Sequence, residues 1–339
     1  MNASNESKLS GIIGGLLAAA TVLAFPAASN AGPADAPLTA STYIVLDNPG
    51  DLNFNQLLGI SNGGVIVGYF GDSVVVPNNG YVLVPQNHYS PENFTNLLKG
   101  DSATQTQAIG IDNSDLASIV GFYTDKTTGF THGFVDEAGS QITIDDPNGV
   151  SPKIKNPVQN LLGISGANTA GGFWLDNAGH EHGFVVVIDM ANPAMSKFTE
   201  INKKFKGSTG SQASNVTDNN DICGFWTDSA GNNHGFYGPL SSFASIEVVI
   251  GGVAAVSTSP FGCNNNGEVV GSFVDSGGNT HGFVYEGGAY TQYDAPGSSQ
   301  TAAFGVSGTF INGVNDAGSF VGFFSDGVKV HGFAQLASP

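Results

Sequence analysis

Apolar residues in this chain come in short runs of five or six, and polar, glycine-rich turns separate them at close intervals. "VIVGYF" (Val65 to Phe70) and "SFVGFF" (Ser319 to Phe324) are examples, and each follows a turn such as "GISNGG" or "GVNDAG". The runs show no 3.6-residue periodicity, and they are apolar on both faces. That pattern predicts strands whose sheet is covered on each side. A polar loop follows each run, then a second strand that opens on His-Gly-Phe, then a β-rich piece that ends in Asp and Pro, as in "ITIDDP" and "TQYDAP".

This frame recurs six times. Aligned on Gly68, Gly121, Gly172, Gly224, Gly271 and Gly322, the copies stand 53, 51, 52, 47 and 51 residues apart. Four strands per unit at this period predict an all-β fold, a six-bladed β-propeller with four-stranded blades. The strand glycine two residues before an aromatic (Phe70, Tyr123, Trp174, Trp226, Phe273, Phe324) reads as a point where neighbouring blades converge. The frame is also permuted. "TYIVLDNPG" (Thr42 to Gly50) matches a closing strand but precedes the first full unit, and the sixth unit stops after "HGFAQL" without one. The expectation is that the N-terminal strand completes the last blade and closes the ring, which would remove exposed sheet edges.

The chain before this strand is different. A lone Lys8, an apolar run from Gly11 to Phe25 and the small residues around Ala31 read as a cleaved secretory signal over residues 1–31. A linker over 32–41, the propeller over 42–335 and a tail over 336–339 follow. The protein is therefore expected to be secreted or periplasmic, a monomer, and without a membrane span once the signal is removed.

Charged residues are only 11% of the chain, and its net charge is −18. Such an acidic surface argues against nucleic acid as a partner. All ten basic residues are lysines, so no bidentate guanidinium clamp is available. An oxidising compartment would permit a disulfide between Cys223 and Cys263. Both occupy positions where other repeats carry Ile or Val, so the pattern favours two buried thiols acting as small hydrophobes.

The motif G-[IV]-x-x-x-G-x-[IV]-V-G-x-[FYW]-x-D…H-G-F resembles the bacterial extracellular HAF repeat, with Gly in place of the central Ala and Asn79-Gly80-Tyr81 in the first copy. The resemblance covers nearly the whole chain after the signal. It implies an exported bacterial repeat protein and carries no assigned reaction.

Within the repeat, Asp72, Asp125, Asp176, Asp228, Asp275 and Asp326 recur, and five of the six units carry the His. Equivalent residues on radiating blades cannot converge on one ion, so the expected role is a clasp across each hairpin. No cofactor is expected. One Ca²⁺ per blade is the alternative for these loops, and a transition metal on His180 and His182 is another. A specific site should lie where the symmetry breaks. Two consecutive blade connections hold Lys153, Lys155, Lys203, Lys204 and Lys206, five of the nine lysines outside the signal, and both tryptophans belong to the same two blades. These lysines are the candidate ligand-binding residues, and the tryptophans read as ordinary ring positions. The loop Pro85 to Gly100 brings His88, Tyr89 and Glu92 together, a weaker candidate for acid/base chemistry. No Gly-x-Ser-x-Gly or His-Glu-x-x-His motif is present. The reading is a binding propeller for an extracellular glycan or protein ligand. The alternatives are an exported lyase or hydrolase acting on a polysaccharide, and a structural extracellular protein.

Overall fold

The computed structural model describes residues 41–97, 102–114 and 117–338. The expected signal over 1–31 and most of the linker lie outside the described residues. The chain forms six four-stranded antiparallel sheets arranged as the blades of a propeller. From the axis outwards, blade 1 is Asn55–Ile60, Ile66–Phe70, Asn79–Leu83 and Phe94–Asn96. Blade 2 is Ala103–Ile111, Ile119–Asp125, Thr131–Glu137 and Ser140–Thr143. Blade 3 is Gln159–Ile164, Thr169–Leu175, Glu181–Val187 and Lys197–Glu200. Blade 4 is Gly210–Val216, Asp221–Thr227, Asn233–Pro239 and Ala244–Ile246. Blade 5 is Ser257–Cys263, Val269–Val274, Thr280–Glu286 and Ala289–Tyr293. Blade 6 has Thr309–Val314, Phe320–Ser325 and Val330–Leu336, and its outer strand is Thr42–Val45, paired from Thr42 opposite Leu336 to Val45 opposite Phe333. The last strand thus runs one residue past the expected boundary at 335. A short extra hairpin, Val249–Ile250 with Val253–Ala254, stands between blades 4 and 5.

The strand glycine has a different duty from the one the sequence suggests. The inner strand of every blade carries a β-bulge, as between Leu57 and Gly59 or between Ala108 and Gly110. The bulge thrusts a carbonyl towards the second strand of the same sheet. A Cβ at Gly121 would overlap the Gln107 carbonyl oxygen, and one at Gly271 the Ser259 carbonyl oxygen. The strand glycine therefore serves its own blade and not the approach of the next one. The blade-to-blade contact falls to the glycine of His-Gly-Phe. A Cβ on Gly133 would meet the Ile144 carbonyl oxygen of its own blade at 2.6 Å and Leu161 of blade 3 at 3.0 Å, and one on Gly235 the Ile246 carbonyl oxygen at 2.4 Å and Pro260 of blade 5 at 2.8 Å. The aromatic that follows is the largest fully buried side chain of each blade: Tyr81, Phe134, Phe184, Phe236, Phe283 and Phe333 are at most 1% exposed. Burying a side chain of this size contributes about 1.5–3 kcal/mol.

Cys223, on the second strand of blade 4, is bonded to Cys263, on the inner strand of blade 5, with their Cα atoms 6.1 Å apart. The expectation of two free thiols is corrected. The repeat frame puts both at buried apolar positions, as read, but the packing of one blade on the next makes those two positions neighbours within disulfide reach.

A hydrogen-bonded rosette joins the blades at the face formed by the turns between first and second strands. Asn62 N–H donates to Asn113 Oδ1 (2.6 Å), Gly166 N–H to Asp218 Oδ1 (2.8 Å) and Asp218 N–H to Asn265 Oδ1 (2.9 Å). Asn265 N–H then donates to Asp316 Oδ1 (2.9 Å), and Asp316 N–H to Asn62 Oδ1 (2.8 Å), which links the last blade to the first. Five of the six seams are bridged in the same sense. At the sixth, between blades 2 and 3, the acceptor position is Gly166, which has no side chain.

Candidate functional site

The repeated Asp and His lie on the opposite face, at the hairpins between second and third strands. Each aspartate folds its own turn: Asp228 Oδ1 accepts from Ala230 and Asn232 N–H, and Asp275 Oδ1 from Gly277 and Asn279 N–H, at 2.8–2.9 Å. The other oxygen faces the histidine, with Nε2 at 3.3 Å for His182 and His234, 3.4 Å for His281 and 3.2 Å for His331. The clasp read from the repeat is present, and it contains a member the sequence reading missed. A residue just past the outer strand takes the other ring nitrogen: Asp145 for His132 (2.6 Å), Glu247 for His234 (3.0 Å), Asp294 for His281 (2.8 Å) and Asp47 for His331 (2.7 Å). The recurring Asp at the end of "ITIDDP", "TQYDAP" and "YIVLDNP" was its signal.

Each histidine also lies against the aromatic of the second strand. The closest pairs are Trp174 with His182, stacked at 4.0 Å, and Trp226 with His234 at 4.4 Å. Asp228 and Asp275 are held down at about 2, first by the Asn232 and Asn279 N–H groups. For Asp176, burial pushes the other way, but the His180 N–H and the His182 ring outweigh it and leave the carboxyl at about 2. His180 and His182 thus share one carboxylate, Asp176, as a double clasp. Such solvent-screened pairs contribute little to stability, so their effect is to fix hairpin geometry. In the remaining loop candidate, Tyr89 is buried and donates to the Gly64 carbonyl oxygen at 2.7 Å, while His88 is exposed. Tyr89 is a structural residue of the first turn.

Symmetry breaks at blade 4. Of the six second-strand aromatics, Phe70, Tyr123, Trp174, Phe273 and Phe324 are buried, and Trp226 is not. It opens onto a peripheral cleft of about 600 Å³ walled by Phe205, Phe236, Leu240 and Phe243. Phe205 is parallel to both Trp226 (6.0 Å) and Phe243 (5.8 Å). It comes from the connection between blades 3 and 4, whose base is pinned by Asn202. The Asn202 Oδ1 accepts from Gly183 N–H at 2.9 Å, and its Nδ2 donates to the Glu181 carbonyl oxygen at 3.1 Å. The next residues are Lys203 and Lys204. Lys204 Nζ stands 5.8 Å from the Phe243 ring centroid and is the one charged side chain lining the cleft. Ser241, Ser242 and Ser245 complete the wall.

The five candidate lysines fall into two groups. Lys203, Lys204 and Lys206 share the loop at this cleft. Lys153 and Lys155 lie on the preceding connection, which docks on blade 3 through Lys155 N–H to Asn177 Oδ1 and Asn177 Nδ2 to the Lys153 carbonyl oxygen, both 2.9 Å. The preceding connection also meets the outer strand of blade 3, where Asn148 Nδ2 donates to Glu200 Oε1 at 3.4 Å. All five lysines are exposed, and none makes an ion pair with a carboxylate among the described residues. The repeat pattern makes Trp226 an ordinary ring position; its partial exposure depends on how the loop and the outer strand lie, which the pattern does not carry.

No protein-family model and no curated protein matches the sequence. Solved structures similar in fold include a fungal lectin from Aleuria aurantia, described as a six-bladed β-propeller with a novel mode of fucose recognition. It matches with a TM-score of 0.51 at 11% identity over 88% of this chain and 92% of that one. The SapL1 lectin, solved with α-methyl fucoside, matches with a TM-score of 0.51 at 12% identity over 84% and 96%. Likeness at this level of identity shows the six-bladed fold.

Proposed function

We propose that this protein is a glycan-binding propeller that takes an acidic sugar in the peripheral cleft of blade 4. The observation that carries the reading is that Trp226, alone among six equivalent aromatics, is only partly buried and lines the same cleft as Lys204. Flat aromatic faces suit the C–H faces of a pyranose ring, and serine hydroxyls suit its hydroxyl groups. An unpaired ammonium suits a carboxylate or sulfate, and it stands in a cleft with no competing acid. Lys203 and Lys206 add to the local positive field in an otherwise acidic molecule. Lys153 and Lys155 extend it along the same rim for a longer chain. The sugar-binding lectins of similar fold support the class of ligand.

The protein is also read as exported, on the resemblance of its N-terminus to a secretory signal and of its repeat to the HAF repeat. N-terminal sequencing of protein recovered outside the cytoplasm should then begin at Gly32, and an intact Met1 would refute export by this signal.

Oligogalacturonate binding, followed by calorimetry on the wild type and on the Lys203→Ser, Lys204→Ser, Lys206→Ser variant, tests the site. The triple variant should lose binding with an unchanged melting temperature. Wild-type affinity should fall as salt rises from 50 to roughly 300 mM. Equal affinity in the two proteins would refute the assignment.

A further inference from the structure

The propeller axis encloses a chamber of about 390 Å³, apart from the peripheral cleft. That volume lies at the small end of the range for ligand pockets. Its lining contains no Asp, Glu, Lys, Arg or His, in a protein of net charge −18. Amide side chains enter from several directions around the axis: Gln56 from blade 1, Asn160 from blade 3, Gln212 from blade 4 and Asn312 from blade 6. Between them stand aromatic faces, including Phe122, Phe261, Phe310 and Phe323, the last two stacked at 4.9 Å.

Three buried polar atoms of lining residues have no hydrogen-bond partner among the described residues: Asn160 Oδ1, Ser214 Oγ and Asn312 Oδ1. Asn160 is 7% exposed and Ser214 4%. A buried acceptor left unsatisfied is costly, so a small side-chain rotation that turns it towards a hydroxyl in the chamber would gain a hydrogen bond. Ile60, Ile111, Asn215 and Val314 form the chamber's floor and also line the void of about 30 Å³ beneath it, beside the rosette residues Asp218, Asn265 and Asp316.

We propose that this axial chamber is a second binding site, for a neutral polyhydroxylated ligand of monosaccharide size. The absence of any counter-charge disfavours an ionic ligand, which would lose its hydration without compensation. The amides both donate and accept, and they surround the axis, so the matching ligand carries hydroxyl groups around its whole circumference. The aromatic faces between them suit the C–H faces of the same ring. The assignment does not depend on the blade 4 cleft.

Saturation-transfer NMR with the methyl glycosides of glucose, galactose, mannose and fucose tests it on the wild-type chain and three chamber variants. At least one glycoside should receive saturation, and the effect should persist in 0.5 M salt and in the Lys203/Lys204/Lys206 variant. Ser214→Phe, which fills the chamber, should abolish it. Asn160→Leu and Asn312→Leu, which keep the volume but remove an acceptor, should each weaken affinity about threefold to tenfold. If Ser214→Phe fails to fold by circular dichroism, the two leucine variants decide. Saturation of none of the four glycosides, indicating a chamber that holds water only, overturns the proposal. So does binding that survives every chamber variant.

Discussion

Gly166→Asn should stabilise the protein, because it would complete the rosette. At five seams a backbone N–H of one blade donates to a side-chain oxygen of the next, and only the seam from Asn113 to position 166 lacks the acceptor. The backbone at Gly166 does not have positive φ, and the nearest atom to an added Cβ is Asp218 Oδ1 at 3.4 Å, so an L-residue fits. Replacing glycine at a compatible position contributes about 0.4–1 kcal/mol through the unfolded chain. The new hydrogen bond, at a solvent-exposed turn, adds about 0.5–1 kcal/mol. For a domain of this size the sum of roughly 1–2 kcal/mol corresponds to a Tm rise of about 2–4 °C. Gly166→Ala supplies the control, since it carries the chain-entropy part alone. Calorimetric Tm should order as Asn above Ala above Gly, and exchange of the Asn113 amide hydrogen should slow only in the Asn variant. An Asn variant no more stable than Ala, with Asn113 exchange unchanged, would refute the reasoning.

Two further outcomes follow from the same geometry. The Cys223–Cys263 bond closes a sequence separation of 40 residues, for which loop-closure entropy gives about 4 kcal/mol as an upper value, so the Cys223→Ala, Cys263→Ala variant should lose roughly 2–4 kcal/mol in urea unfolding. The His–carboxylate clasps should make stability depend on pH at both ends. Burial opposes the charge on His331, but Asp47 and Asp326 on its two ring nitrogens outweigh it and raise its pKa, so its contribution is complete below about 6.5 and disappears as pH rises through the higher folded value. Asp176, Asp228 and Asp275, held at about 2, contribute above about 3.8 and lose that contribution as pH falls towards 2. Tm measured from pH 2 to 9 should therefore be highest at about pH 4–6.5; a pH-independent Tm on either side would contradict the corresponding clasp.

The architecture was legible because a blade is specified locally. A strand glycine, an Asp-turned hairpin and a buried His-Gly-Phe aromatic recur at a near-constant spacing, and each fixes structure within a few residues of itself. What the sequence concealed depends on contacts between blades. Gly121 and Gly133 look alike in the repeat, yet only the second also faces a side chain of the neighbouring blade. Cys223 and Cys263 occupy different positions in the repeat, and only the packing of blade 4 on blade 5 brings them together. The candidate cleft was half legible. Lys203, Lys204 and Lys206 stood out as a break in an acidic chain, but the uncovering of Trp226 depends on where Phe205 and Phe243 come to rest. The axial chamber left no motif, since Gln56, Asn160, Gln212 and Phe310 share one inner-strand position with different side chains.

The central claim is that an acidic sugar lies against Trp226. The chain has only two tryptophans, so Trp174→Phe leaves Trp226 as the sole indole reporter. Titration of that variant with oligogalacturonate should change Trp226 emission saturably, with a midpoint that matches the calorimetric affinity and a signal that disappears when Lys204 is replaced by Ser. Oligogalacturonate that binds with no change in Trp226 emission would place the sugar elsewhere and contradict the account.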